Sequence, residues 1–150
     1  MRPPPAVLAV DAAILISALI GRSAGALLDV GRYVRLATTD RAMIEVTRRV
    51  GLGLNRPDLL GPLDVLVADF DVVAVETLGP LVEAAITLRE AVASRNGSAN
   101  DAHILALAWE LNAEIWSHDR DFAGTGVATW STVNLVRVVT LTESGMEPTS

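Results

Sequence analysis

Five acidic residues stand where a carboxylate can do chemistry: Asp11, Glu45, Asp101, Asp119 and Asp121. Asp11 directly follows the apolar run AVLAV. Asp101 opens DAHILALAWEL, and Asp119 and Asp121 arrive almost together in SHDRDF, just past AEIW. Each has a plain structural explanation when taken alone. Asp101 can cap the free N–H groups of a helix, although Asn100 is an equally good cap. One of Asp119 and Asp121 can bond the backbone of a turn. Glu45 lies on or beside the apolar stripe Ala42, Met43, Val46, Val50. That placement predicts partial burial, with either an arginine (Arg41, Arg48 or Arg49) or a metal as its partner. Taken together the acids suggest more. Carboxylates drawn within a few ångströms repel one another, and a divalent cation removes that penalty. Oxygen donors favour Mg²⁺ or Mn²⁺. Ions held in this way orient water against a phosphodiester and stabilise the leaving oxygen.

The composition narrows the alternatives. There is no cysteine, which excludes disulfides, thiolate metal sites and cysteine nucleophiles. All 12 basic residues are arginine. Without lysine there is no phosphate-loop lysine and no Schiff-base chemistry. Two histidines, His103 and His118, cannot build a three-histidine zinc site in one chain. The net charge of −6 argues against tight non-specific nucleic-acid binding but leaves room for local binding, since Arg32, Arg35, Arg41, Arg48 and Arg49 cluster early. A solvated helix face is the simpler reading of that cluster.

The elements that must position these acids alternate. Residues 6–10 and 34–38 read as strands, as do 71–75, 113–117 and 126–130, and VRVVTL at 136–141 as a possible final strand. Helices are expected over 12–20, 23–33, 41–52 (capped by Thr39 or Asp40), within 57–69, from about 78 to 94, and over 101–111. Residues 95–100 form a loop. A chain of 150 residues suits one domain, with a tail from about residue 145. The alternation predicts an α/β fold with a mostly parallel sheet. Ligands of such sheets bind at the carboxyl ends of the strands, which is where Asp11 and Asp119 fall. The apolar N-terminus is interrupted by Asp11 and reads as a buried strand and helix, not a signal peptide, so a cytoplasmic location with no membrane span is expected.

With VLAVDAAILISAL at the start, Glu45 in MIEVTRR, NDAHILALAWELNAEIW, and SHDRDF followed by GTGVATW, the chain resembles the PIN-domain nucleases (the PilT N-terminus family), whose commonest small members are VapC-type toxins. The resemblance covers most of the chain and implies a three-layer α/β/α fold. It implies a metal-dependent endoribonuclease with one or two Mg²⁺ or Mn²⁺ ions held by Asp11, Glu45, Asp101 and Asp119. Asp121 would be a further ligand or outer-shell residue, and Ser117 would match the Ser/Thr that supports such sites. One departure is that Ala12 and Ala13 follow Asp11 where the family often has Ser, Thr or Asn.

In the mechanism this suggests, Asp11, Asp101 and Asp119 hold the main ion, Glu45 orients the attacking water, and Arg41 and Arg120 hold phosphates. The resemblance further implies an RNA substrate, a cognate antitoxin of a type II toxin–antitoxin pair, and a homodimer. Helices around Leu15, Leu19, Leu27 and Leu28, and from Leu59 to Val67, could offer a partner groove, although core packing explains the same leucines. The main alternative is a non-catalytic PIN-like module that binds RNA or protein. A receiver-like Mg²⁺-binding signalling domain would normally need the lysine this chain lacks. Trp109, Trp116 and Trp130 lie in apolar runs and read as packing residues, and each histidine as a solvated or hydrogen-bonded neighbour.

Overall fold

The computed structural model describes residues 3–21, 24–91, 101–118 and 122–145. Among the described residues, five short strands form one parallel sheet. They are β1 (Val7–Val10), β2 (Arg35–Thr39), β3 (Asp71–Val73), β4 (Glu114–Trp116) and β5 (Thr129–Trp130), in the spatial order β3-β2-β1-β4-β5. Among the described residues, seven α-helices connect or follow them: α1 (Ala12–Leu19), α2 (Ala24–Gly31), α3 (Asp40–Arg48), α4 (Leu60–Leu66), α5 (Leu81–Glu90), α6 (Ala102–Leu111) and α7 (Thr132–Glu143). The parallel sheet is the one expected from the alternation, and the helices give the three-layer α/β/α arrangement that the resemblance implies. Helix α6 packs across β1, β2 and β4 and carries α5, while α1 packs with α2 and α3, and α2 with α7.

A parallel strand covered on both faces must be apolar throughout. Leu8, Ala9 and Val10 of β1 are fully buried, as are Ile115 and Trp116 of β4. Helix α6 is apolar apart from His103 and an exposed Glu110, and its residues 102–108 are all buried, His103 included. Asn112 then adopts the left-handed conformation (φ 51°), which its short polar side chain tolerates, and turns the chain into β4. The tryptophans serve packing as expected. Trp116 and Trp130 are buried, with their indole N–H groups donating to Thr132 Oγ1 and Glu114 Oε1, and Trp109 packs partly buried on the core.

Several boundaries move. The segment 136–141 is not a strand but the middle of α7, which starts at the Ser131 cap and buries Leu135, Val138 and Val139 at helical spacing. The strand at 71–75 ends at Val73, and Val75 begins a 3₁₀ turn. The strand at 126–130 is reduced to Thr129–Trp130. Helix α3 runs into a π-helical turn, Arg49–Gly53. The expected helix at 78–94 starts only at Leu81. Its last residues, 92–94, the loop 95–100 and the tail 146–150 lie outside the described residues. Among the described residues, no single helix is long and apolar enough to cross a membrane.

Leu105 is fully buried in α6 against the sheet. Leu105→Ala is expected to cost about 2–5 kcal/mol, read as a lowered urea midpoint. Val133→Ala, at a position 68% exposed, should change stability by less than about 0.5 kcal/mol.

Candidate functional site

The sheet changes direction between β1 and β4. From β1 the chain builds outward through β2 to β3, then returns to the other side of β1 for β4 and β5. In an open parallel sheet this switch point leaves a crevice at the carboxyl ends of the two neighbouring strands. Val10 is in register with Trp116, so the residues that follow, Asp11 and Ser117, face one another across the crevice. The Asp11 N–H donates to the Trp116 carbonyl at 3.3 Å. The Asp11 carboxylate has two tasks. Oδ1 accepts the N–H of Ile14 at 3.1 Å and so caps α1, while Oδ2 accepts a short hydrogen bond from the buried Ser117 hydroxyl.

The carboxyl end of β2 lies beside it. Thr38 and Thr39 are fully buried. The Thr38 hydroxyl donates to the Val10 carbonyl at 2.8 Å, which fixes the peptide just before Asp11. Thr39 Oγ1 accepts the N–H of Ala42 at 3.0 Å, capping α3, and is hydrogen-bonded to His103 Nδ1 at 2.7 Å. The adjoining Asp40 is structural. Its Oδ1 accepts both the Arg41 and Val75 N–H groups at 2.9 Å, tying α3 to the segment after β3. The other histidine, His118, is exposed and pairs through Nε2 with Thr132 Oγ1 at 3.1 Å.

Asp101 occupies the N-cap position of α6, yet its side chain makes no capping bond to that helix. The simple capping explanation for this acid therefore fails. Glu45 is exposed, against the expectation of partial burial. Ala42, Val46 and Val50 form the buried stripe at steps of four, and Glu45 stands one residue short of it. Nor does it take the expected arginine partner: among the described residues, Glu45 forms no ion pair with Arg41, Arg48 or Arg49. It lines an open groove of about 660 Å³ together with Arg41 and His103. Asp11 and Ser117 are thus brought together directly. Glu45, Arg41 and His103 share the groove, and the Thr39–His103 bond connects α6, which Asp101 opens, to the end of β2. Asp119, Arg120 and Asp121 lie outside the described residues.

The residues that sequence reasoning passed over are Thr38, Thr39 in its second role, and buried His103. A signal existed for the last of these, since a helix apolar on every side is buried, and a histidine within it must be hydrogen-bonded. The suggested partner groove shrinks. Leu15, Leu27 and Leu63 are core residues, whereas Leu28 and Val65 remain exposed.

The double role of Asp11 can be separated by substitution. Asparagine keeps an oxygen for the α1 cap, while alanine does not, and both remove the charge. Asp11→Ala is therefore expected to be less stable than Asp11→Asn by about 1 kcal/mol, measured as the difference in their unfolding free energies.

The chain matches the PIN domain family over residues 9–139. No curated protein sequence matches it. Among solved structures it is similar to a chain of VapBC2 from Rickettsia felis bound to a DNA fragment from its promoter, with a TM-score of 0.62 and 14% identity, covering 83% of this chain and 98% of that one. It is also similar to a chain of a toxin–antitoxin complex from Klebsiella pneumoniae, with a TM-score of 0.60 and 20% identity over 83% and 97% of the two chains. FitAcB from Neisseria gonorrhoeae gives a TM-score of 0.61 at 16% identity, over 84% and 98%. At such identities these likenesses speak for the fold; the family match covers most of the sequence, and the chain belongs to the PIN-domain family.

Proposed function

We propose that this chain is a metal-dependent endoribonuclease, acting in the cytoplasm as the toxin of a type II toxin–antitoxin pair. The observation that carries the reading is the Asp11 carboxylate at the switch point of the sheet, held from across the crevice by Ser117. The donor chemistry fits a hard cation. Asp11, Asp101 and Glu45 offer oxygens, and the Nδ1 of the nearby imidazole, His103, is already taken by Thr39. Asp11, Asp101 and Asp119 are the residues that would hold one or two Mg²⁺ or Mn²⁺ ions, with Glu45 and Asp121 as further candidates. Such an ion supplies a Lewis acid for a phosphoryl oxygen and a water of lowered pKa.

The chain's own groups do the rest. Ser117 fixes the orientation of Asp11. Glu45, solvent-facing in the groove, orients the attacking water. Arg41 and Arg120 neutralise phosphate charge. No side chain needs to form a covalent intermediate. The hydroxyl that family members often carry just after the first aspartate is missing at Ala12 and Ala13, and Ser117 supplies one to Asp11 from the neighbouring strand. A protein antitoxin and a homodimer are the proposed partners. The Klebsiella pneumoniae relative supports the former, being a toxin–antitoxin complex by description.

Incubated with a mixed RNA pool and Mn²⁺, the protein should cleave it, and EDTA should abolish cleavage. Asp11→Asn and Asp101→Asn should each lower the rate by more than the roughly 10–100-fold typical of losing an outer-shell partner. Equal cleavage in all four conditions would remove the assignment, and metal binding without turnover would favour a non-catalytic binding module. Ser117→Ala should cost about 10–100-fold in activity or metal affinity, read by titrating Mn²⁺ against the cleavage rate.

A further inference from the structure

We infer that Arg48 and Arg49, with Arg41, form a cationic track along α3 and its π-helical turn that holds the backbone of a single-stranded RNA entering the acidic edge. The inference rests on the ribonuclease reading and adds where the strand lies. Three guanidinium groups line one groove, with Glu45 its only carboxylate among the described residues, in a chain whose net charge is −6. Three other exposed arginines find acids: Arg32 pairs with Asp29, Arg35 with Asp71, and Arg56 with Asp58; among the described residues Arg89 and Arg137 do not, but neither lies in this groove. Among the described residues, Arg41, Arg48 and Arg49 make no ion pair. This holds although Glu45 stands three and four positions before Arg48 and Arg49, a spacing at which helical pairs form. Like charges left together in this way repel one another, and a polyanion relieves that repulsion while releasing its own counterions.

Two further features favour a nucleic acid over an acidic protein segment. The groove is continuous with the proposed catalytic edge, because Glu45 and His103 line it and His103 is bonded to Thr39 at the end of β2. In the same groove, Ile44 is 56% exposed and Leu52 82% exposed, giving base faces an apolar surface beside the phosphate contacts.

The test is fluorescence anisotropy of a labelled single-stranded RNA in EDTA, so that no cleavage is needed, across a salt series. Arg48→Gln/Arg49→Gln should bind roughly 10-fold or more weakly, with a salt slope flatter by about 1.4, the share of two phosphate contacts on a single strand. Arg48→Lys/Arg49→Lys should retain most of the affinity. Arg89→Gln/Arg137→Gln, which removes the same charge from exposed arginines on α5 and α7, should bind like wild type. Unchanged binding by the Arg48/Arg49 glutamine pair overturns the track, as does equal weakening by the control pair or failure of the wild type to bind RNA. Capture of a poly-glutamate peptide in place of RNA overturns it in favour of a protein partner. Wild-type protein that binds through these arginines yet never cleaves leaves the track standing and removes the ribonuclease, and cleavage with arginine-independent binding does the reverse.

Discussion

The Ser117–Asp11 hydrogen bond exists because β1 and β4 are parallel neighbours in register, with Val10 opposite Trp116. All other features of the candidate site are arranged around that pairing. Parallel strands cannot be joined by tight turns, so helices must carry the chain back, and each begins at the carboxyl edge it has just left. Helix α1 starts beside Asp11, α3 beside Thr39 and α7 beside Ser131. Their amino ends bring unpaired N–H groups and positive partial charge to one edge, which favours negative side chains there. Asp11 caps α1, and Asp40 lies in the first turn of α3, so each of these two acids meets the positive end of a helix.

Three buried hydroxyls make that edge rigid. Thr38, Thr39 and Ser117 are almost wholly removed from water, and each is satisfied by a neighbour: the Val10 carbonyl, the Ala42 N–H with His103, and the Asp11 carboxylate. A buried hydroxyl without a partner costs about 1–3 kcal/mol, so these bonds hold β1, β2, β4 and α6 in one relative placement. The outer side of α3 is built differently. Its arginines are exposed and unpaired among the described residues, and its apolar residues Ile44 and Leu52 face outward. The rigid interior suits a group that must hold its orientation, and the adaptable surface suits a flexible polyanion.

Much of this was legible in the chain. AVLAV reads as a buried parallel strand and AEIW and DAHILALAWEL as a strand and a helix, and all three form. Asp11 lies at the carboxyl end of β1, as its place after AVLAV indicated, and Thr39, one of the two cap candidates, caps α3. Other segments were ambiguous in kind. VRVVTL is rich in β-branched residues and short, and a run of that length satisfies strand and helix patterns alike. Packing decided for helix, because Leu135, Val138 and Val139 fall on one face and Ser131 caps the start.

Sequence alone determined the chemistry available: carboxylates, arginines and hydroxyls, with no thiol, no lysine and too few imidazoles for a histidine-rich site. It also determined the alternation that makes a parallel sheet. Which oxygen meets which donor was decided only by tertiary structure. Asp11 and Ser117 are separated by 106 positions along the chain, and Thr39 and His103 by 64. Strand order and register bring such pairs together, and no local pattern encodes them. For Glu45 the same principle worked in reverse: apolar neighbours in sequence suggested burial, but a rotation of one residue about the helix axis turned it to solvent, because only the Ala42–Val46–Val50 stripe meets the core.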